Sequence, residues 1–228
     1  MGDGLRRVAA GLVLAVGLSA CGSKPPDAST LLKQSSQRML NLKGFHFQMT
    51  ISGFTSSSVP VESAGGDARP PDLRADVNLK EGGVLLEGQV IFSQGGIYLK
   101  FLTGGFQQLT DEQLAQFFDA RTLFDPNVGL FAAIRDTTAP SVGQTENVSG
   151  HDTYPVAGSV SAARMHQLLT PIRAEGSYRV SYWIESDNAD LWRARLTGDL
   201  FDASKASTIT FDFSNHDHAV SITPPPLG

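Results

Sequence analysis

Cysteine is nearly absent from this chain: its 228 residues hold one, Cys21. No intramolecular disulfide can form, so the core must rest on packing alone. Tryptophan (two) and tyrosine (four) are scarce beside thirteen phenylalanines. There is no basic cluster, and the net charge is −5. That balance argues against nucleic acid as a partner and against electrostatic docking on anionic lipid. The one apolar run of any length, 8–18, falls short of the roughly 20 residues a membrane-crossing helix needs. Familiar catalytic frames are missing as well: no Gly-x-Ser-x-Gly elbow, no His-Glu-x-x-His helix, no Ser-x-x-Lys and no phosphate loop. Scattered Asp, His and Ser could still meet in space, so an enzyme is disfavoured rather than excluded.

What is present begins with an ordered N-terminus. Arg6 and Arg7 precede the apolar run, and Leu18-Ser19-Ala20-Cys21 follows it. Positive residues, an apolar stretch and small residues before a cut make a secretory signal. The Leu-Ser-Ala-Cys frame resembles the lipobox of bacterial lipoproteins. It implies cleavage before Cys21, a diacylglyceryl thioether on its sulfur and an N-acyl group on the new amino terminus. A lone exposed thiol would be reactive in an oxidising compartment, and alkylation removes that problem. Residues 1–20 are therefore read as a signal peptide, 21–29 as a lipid-anchored tether with Pro25 and Pro26, and 30–228 as one domain on the outer face of the cytoplasmic membrane or in the cell envelope, where some of it can be released.

Along the domain the hydrophobic period switches. A helix is expected over 30–42, capped by Asp27 or Ser29 and ended by Gly44. From Phe45 the period is two: Phe45, Phe47, Met49 and Ile51 alternate with His46, Gln48 and Thr50. The stretch 56–72, with its serines, glycines and prolines, reads as a loop. Leu73, Ala75, Val77 and Leu79 alternate with Arg74, Asp76, Asn78 and Lys80; glycine turns then link 84–93 and 97–101 into an antiparallel meander. Helices are expected over 111–120 and 127–135. Strands follow at 142–148 and 153–160, a helix capped by Ser161 runs through Leu169, and strands occupy 178–185, 191–198, 208–213 and 219–222. The pattern is α+β with a large antiparallel sheet.

Several stretches, taken in order, resemble the LppX/LprA/LprF/LprG-type lipoproteins of mycobacteria. They are the lipobox, Leu42-Lys43-Gly44-Phe45-His46, Gly96-Ile97-Tyr98-Leu99, Phe124-Asp125-Pro126-Asn127-Val128-Gly129-Leu130, Val156-Ala157-Gly158-Ser159-Val160-Ser161-Ala162, Tyr182-Trp183-Ile184-Glu185 and the proline-rich end. The resemblance implies a U-shaped antiparallel half-barrel with helices in its concave face and an apolar cavity between them. It implies binding of acylated envelope lipids or glycolipids, their carriage or assisted export with a membrane exporter as partner, and no cofactor beyond the acyl groups on Cys21.

The residues expected to line such a cavity are Phe47, Met49, Val77, Leu79, Leu86, Val90, Phe92, Leu99, Phe117, Phe118, Phe124, Leu130 and Ile134. For any single phenylalanine, ordinary core packing is the competing reading. The matching alternative for the whole chain is a structural or interaction lipoprotein with a filled core and no ligand. His216-Asp217-His218 could hold a metal on a strand, but beside Ser214 and Asn215 it reads as a solvated turn; no metal site is assigned.

Overall fold

The computed structural model describes residues 25–53, 61–81, 83–101, 104–114 and 120–228. Its elements run α1 (Ala28–Leu40), β1 (Phe45–Gly53), β2 (Val61–Arg69), β3 (Asp72–Glu81), β4 (Val84–Ser93), β5 (Gly96–Phe101), β6 (Gln107–Gln108), α2 (Asp111–Leu114), α3 (Ala120–Leu123), α4 (Leu130–Arg135), β7 (Thr138–Val142), β8 (Glu146–Val148), β9 (His151–Ser161), α5 (Ala162–Leu168), β10 (Ser177–Glu185), β11 (Leu191–Asp202) and β12 (Lys205–Ser214). The strands form one open sheet in the order β6-β5-β4-β3-β2-β1-β12-β11-β10-β9-β7, with β8 also paired to β9. The central pair, β1 with β12, joins strands from opposite ends of the chain. It welds two meanders into a single surface.

Local chemistry explains the elements. Asp27 caps α1 by accepting from Thr30 N at 2.8 Å, and Ser161 caps α5, as side-chain oxygens do at helix starts. Leu31, Leu32, Ser35, Ser36 and Met39 make the buried stripe of α1. The turn from β4 to β5 has Gln94 and Gly95 both at positive φ (53° and 77°), the backbone that two-residue hairpins favour.

Three sequence expectations fail. Residues 61–69 are not loop but strand β2, fully paired between β1 and β3. Residues 219–222 form no strand; the tail runs across the strand ends, where Ser93 Oγ donates to Ile222 O at 3.2 Å. The expected strand 142–148 is two short strands, β7 and β8, separated by residues 143–145. Of the helix expected over 111–120, residues 115–119 lie outside the described residues.

Alternate residues of β1 and β9–β12 face the helices. The core there gathers Leu32 and Met39 of α1, Phe131 and Ile134 of α4, and Met165 and Leu168 of α5 against Phe45, Val156, Tyr178, Val180, Ile184, Leu196, Ile209 and Phe213 of the sheet. Phe45 sits edge-on to both Phe131 and Phe213, with centroids 6.0 and 5.8 Å apart. Each such pair contributes about 0.5–1.5 kcal/mol beyond its buried area. The opposite sheet face is polar: Gln48, Gly65, Asp76, Gln89 and Lys100 stand in one cross-strand row.

Candidate functional site

The strand register places the apolar alternations on one face. Phe47 lies opposite Gly66, Gly66 opposite Ala75, Ala75 opposite Val90 and Val90 opposite Leu99. The next row runs Met49, Ala64, Val77, Gly88 and Phe101. Beyond it Leu79 faces Leu86. Continued the other way, the second row becomes Phe211, Ala194, Tyr182 and Val156. One continuous inner face thus spans the sheet, but its two halves differ.

Under β9–β12 the face is covered. Helices α4 and α5 press Leu130, Phe131, Ile134 and Met165 towards Val180, Tyr182, Leu196, Ile209, Phe211 and Phe213, leaving a void of only ≈ 50 Å³. That holds about one or two water-sized groups, far short of an acyl chain. Tyr182 is wholly buried there and accepts from Thr137 Oγ1 at 3.3 Å. Burial pushes its phenol up to about 12, so Tyr182 stays neutral at pH 7.

Under β2–β5 the face is floored by small residues and only half covered. Ala64, Gly66, Ala68, Ala75 and Gly88 form the floor, flanked by Val77, Leu79, Leu86, Val90 and Leu99, all partly exposed. At one end of these strands Val84 (60 %), Leu85 (54 %) and Phe101 (48 %) are exposed to solvent. Gly66 is demanded by its neighbours: a Cβ there would come within 2.0 Å of Arg74 O. A lipid chain laid on such a floor would meet no polar side chain on this row.

The expected lining residues therefore divide. Val77, Leu79, Leu86, Val90 and Leu99 share the open half, with Phe47 and Met49 at its inner border. Phe124, Leu130 and Ile134 belong to the packed side. Phe92 is 4 % exposed and packs with Ile97 in a small cluster at the strand ends. Phe117, Phe118 and Cys21 lie outside the described residues. Sequence reading missed the floor of β2 and the Tyr182, Ile209, Phe211 and Phe213 wall; the alternation in 208–213 was the available signal for the wall.

The histidine run is a turn with a structural task. Asp217 accepts from Arg38 Nη2 at 2.7 Å and from Lys43 N at 3.2 Å, and His216 Nε2 lies 2.9 Å from Leu191 O. Arg38 also reaches Asp190, 2.8 Å away. These contacts tie α1 to the ends of β10–β12.

Comparison with known proteins gives a consistent set of matches. Residues 27–222 match the family described as LppX_LprAFG lipoprotein. A relative named lipoarabinomannan carrier protein LprG, from Mycolicibacterium smegmatis, is 23 % identical over 204 residues, covering 88 % of this chain and 84 % of its own. The crystal structure of LprF from Mycobacterium bovis superposes with a TM-score of 0.70 at 22 % identity, covering 91 % of this chain and all of that one. The crystal structure of LppX from Mycobacterium tuberculosis gives 0.63 at 20 % identity, covering 88 % of this chain and all of that one. At these identities the two structures establish the fold: an open antiparallel sheet with a few helices on one face.

Proposed function

The chain belongs to the LppX_LprAFG lipoprotein family, and on that premise we propose that it is a membrane-anchored carrier that shields the acyl chains of envelope lipids or glycolipids against the inner face of β2–β5. The observation that carries this reading is the contrast within one sheet face: a packed half, and a half floored by Ala64, Gly66, Ala75 and Gly88 whose apolar flank is left partly exposed. A relative bearing the name of a lipoarabinomannan carrier supports the same reading.

The energetics make a carrier useful. Moving a sixteen-carbon chain into water costs on the order of 12 kcal/mol at ~0.8 kcal/mol per methylene, so two-chain lipids do not cross an aqueous gap unaided. An apolar trough removes most of that barrier, and acylation of Cys21 keeps the trough beside its lipid source. Stable anchoring takes two or more chains, as a diacylglyceryl and an N-acyl group supply. Carriage requires no bond to be made or broken; delivery goes to an acceptor membrane or a membrane exporter.

Native mass spectrometry of the mature domain lacking Cys21, purified from a lipid-rich mycobacterial host, tests this. Extra mass that ejects as a multi-chain lipid is the expected result. A bare mass that persists after incubation with envelope lipid extract would favour the second reading, an interaction lipoprotein with a filled core. That reading has one observation behind it, the ≈ 50 Å³ left under β9–β12.

A further inference from the structure

A second concavity lies outside the apolar trough. It is an open cleft of ≈ 700 Å³ whose described lining is Lys33, Ser36, Gln37, Leu40 and Asn41 of α1 and its C-cap, Pro70 and Pro71 of the β2–β3 turn, and Phe124, Pro126 and Arg135. Lys33, Gln37 and Asn41 are spaced four apart, so they form one stripe of the helix. The floor is apolar, made by Leu40, Phe124 and the prolines. The rim carries two cations and two amides.

The charge of this cleft runs against the charge of the chain. The whole sequence is −5, yet none of the described residues lining the cleft is acidic. Among the described residues Arg135 meets a carboxylate only in its neighbour Asp136, at 2.9 Å, and Asp136 is shared with Arg164 at 3.3 Å. Two guanidiniums thus divide one carboxylate, and the exposed Lys33 adds a further positive charge. Arg135 is also held in place, because its Nη1 donates to Pro126 O at 3.1 Å. Pro70 and Pro71 close the turn between β2 and β3, two strands of the trough, at the end opposite the exposed Val84 and Leu85, and on the cleft's other side Phe124 packs on Phe131 of the packed half with centroids 6.0 Å apart.

We propose that this cleft takes the phosphodiester of the carried lipid's headgroup, with Lys33 and Arg135 as the groups that select it. The inference rests on the carrier reading and deepens it from acylated lipids in general to phosphate-bearing ones. Arg135 spends its Nε and one Nη2 hydrogen on Asp136 and one Nη1 hydrogen on Pro126 O, so its remaining Nη hydrogens and the Lys33 ammonium are the donors left for phosphate oxygens. Gln37 and Ser36 stand beside them for headgroup hydroxyls. Reach agrees with this placement. Six residues from Cys21 to Asp27 span at most about 20 Å when extended, and the six helical residues to Lys33 add about 9 Å, so an acylated Cys21 keeps the cleft within about 30 Å of the bilayer.

The test is competition on the full acylated chain by native mass spectrometry, which separates the constant mass of the anchor from bound lipid. The chain is given equimolar dipalmitoylphosphatidylglycerol and dipalmitoylglycerol, which share chains and differ in the phosphate. The expected result is about a tenfold preference for the phospholipid, the scale of one or two charge-assisted contacts at a partly exposed site, weakening as salt is raised. Lys33→Gln with Arg135→Gln should bring the ratio close to one. Lys33→Glu alone, on an exposed position that cannot unfold the helix, should lower it several-fold. Arg179→Glu, the same two-unit charge change as Lys33→Glu at an exposed position of β10, should leave the ratio unaltered. Equal binding of both lipids by the native chain would overturn this inference and leave the carrier reading standing. Binding of neither lipid would overturn both. Glycerol phosphate bound as tightly as the phospholipid would also overturn it, by making the cleft a site for free phosphate esters.

Discussion

The two halves of the sheet answer the same alternating pattern in different ways. Under β9–β12 the inward residues are large, Tyr178, Tyr182, Ile184, Leu196, Ile209 and Phe213, and three helices bury them almost completely. Under β2–β5 the inward residues shrink to Ala64, Gly66, Ala68, Ala75 and Gly88; Val77, Leu79, Leu86, Val90 and Leu99 around them stay partly exposed, and Phe92 and Ile97 are buried only at the far strand ends. An apolar alternation therefore says which way a strand faces. The size of the inward side chains, and what covers them, decides whether that face becomes core or trough.

The sharpest way to break the comparison is to cut the packed half. Phe131 is 1 % exposed and touches Phe45 and Phe124; Phe131→Ala should cost about 3–5 kcal/mol in urea unfolding. Cutting the open half should instead spare the fold and remove the ligand. Val77→Asp with Val90→Asp should lower lipid retention about a hundredfold, equivalent to about 2.7 kcal/mol, while the urea midpoint moves little. A folded double variant that retains its lipid would remove the trough from β3 and β4.

Added volume sharpens the same contrast. Ala162 at the start of α5 is wholly buried in the packed half, and Ala162→Leu should cost about 1–3 kcal/mol by overpacking. Ala64→Leu, on the floor of the open half, should cost less than about 1 kcal/mol and still reduce lipid loading several-fold. Equal costs at the two sites would mean that both halves are filled.

The smallest expected effect is on pH. Burial raises the Glu185 carboxyl, but hydrogen bonds from His151, Trp192 and Asn188 outweigh it and hold the group below its ordinary value. The stabilisation is complete above the unfolded carboxylate range, about 4.3, and is lost as pH falls through the lower folded value. Urea midpoints should therefore drop below about pH 4, and Glu185→Gln should flatten that part of the curve.

The same distinction explains what could be read from sequence. Strands β1, β3 and β12 declared themselves through Phe, Val, Leu and Ile at every second position. Strand β2 did not: its inward residues are Ala64, Gly66 and Ala68, too small to carry a hydrophobic signal, and at Gly66 the close approach of β3 leaves no room for a Cβ. The trough floor was thus the part of the site least visible in the sequence. Phe92 and Phe124 were legible as apolar but not as core, because burial at strand ends depends on distant partners such as Leu109 and Phe131. The tail at 219–222 alternated like a strand yet pairs as a ladder with none of the described strands; Ser93 Oγ, donating to Ile222 O, fastens it to the end of β4. The cleft beside α1 joins residues far apart in the chain, and only the fold brings Lys33 and Arg135 together.

The central claim is that lipid chains lie under β2–β5 and not under β9–β12. A diacyl lipid carrying a diazirine in its chain, loaded on the native protein, photolysed and mapped by peptide mass spectrometry, tests this most directly. Labels concentrated within 61–101 are the predicted result. Labels confined to β9–β12, α4 and α5 would contradict it and show that the packed half opens to admit the chains.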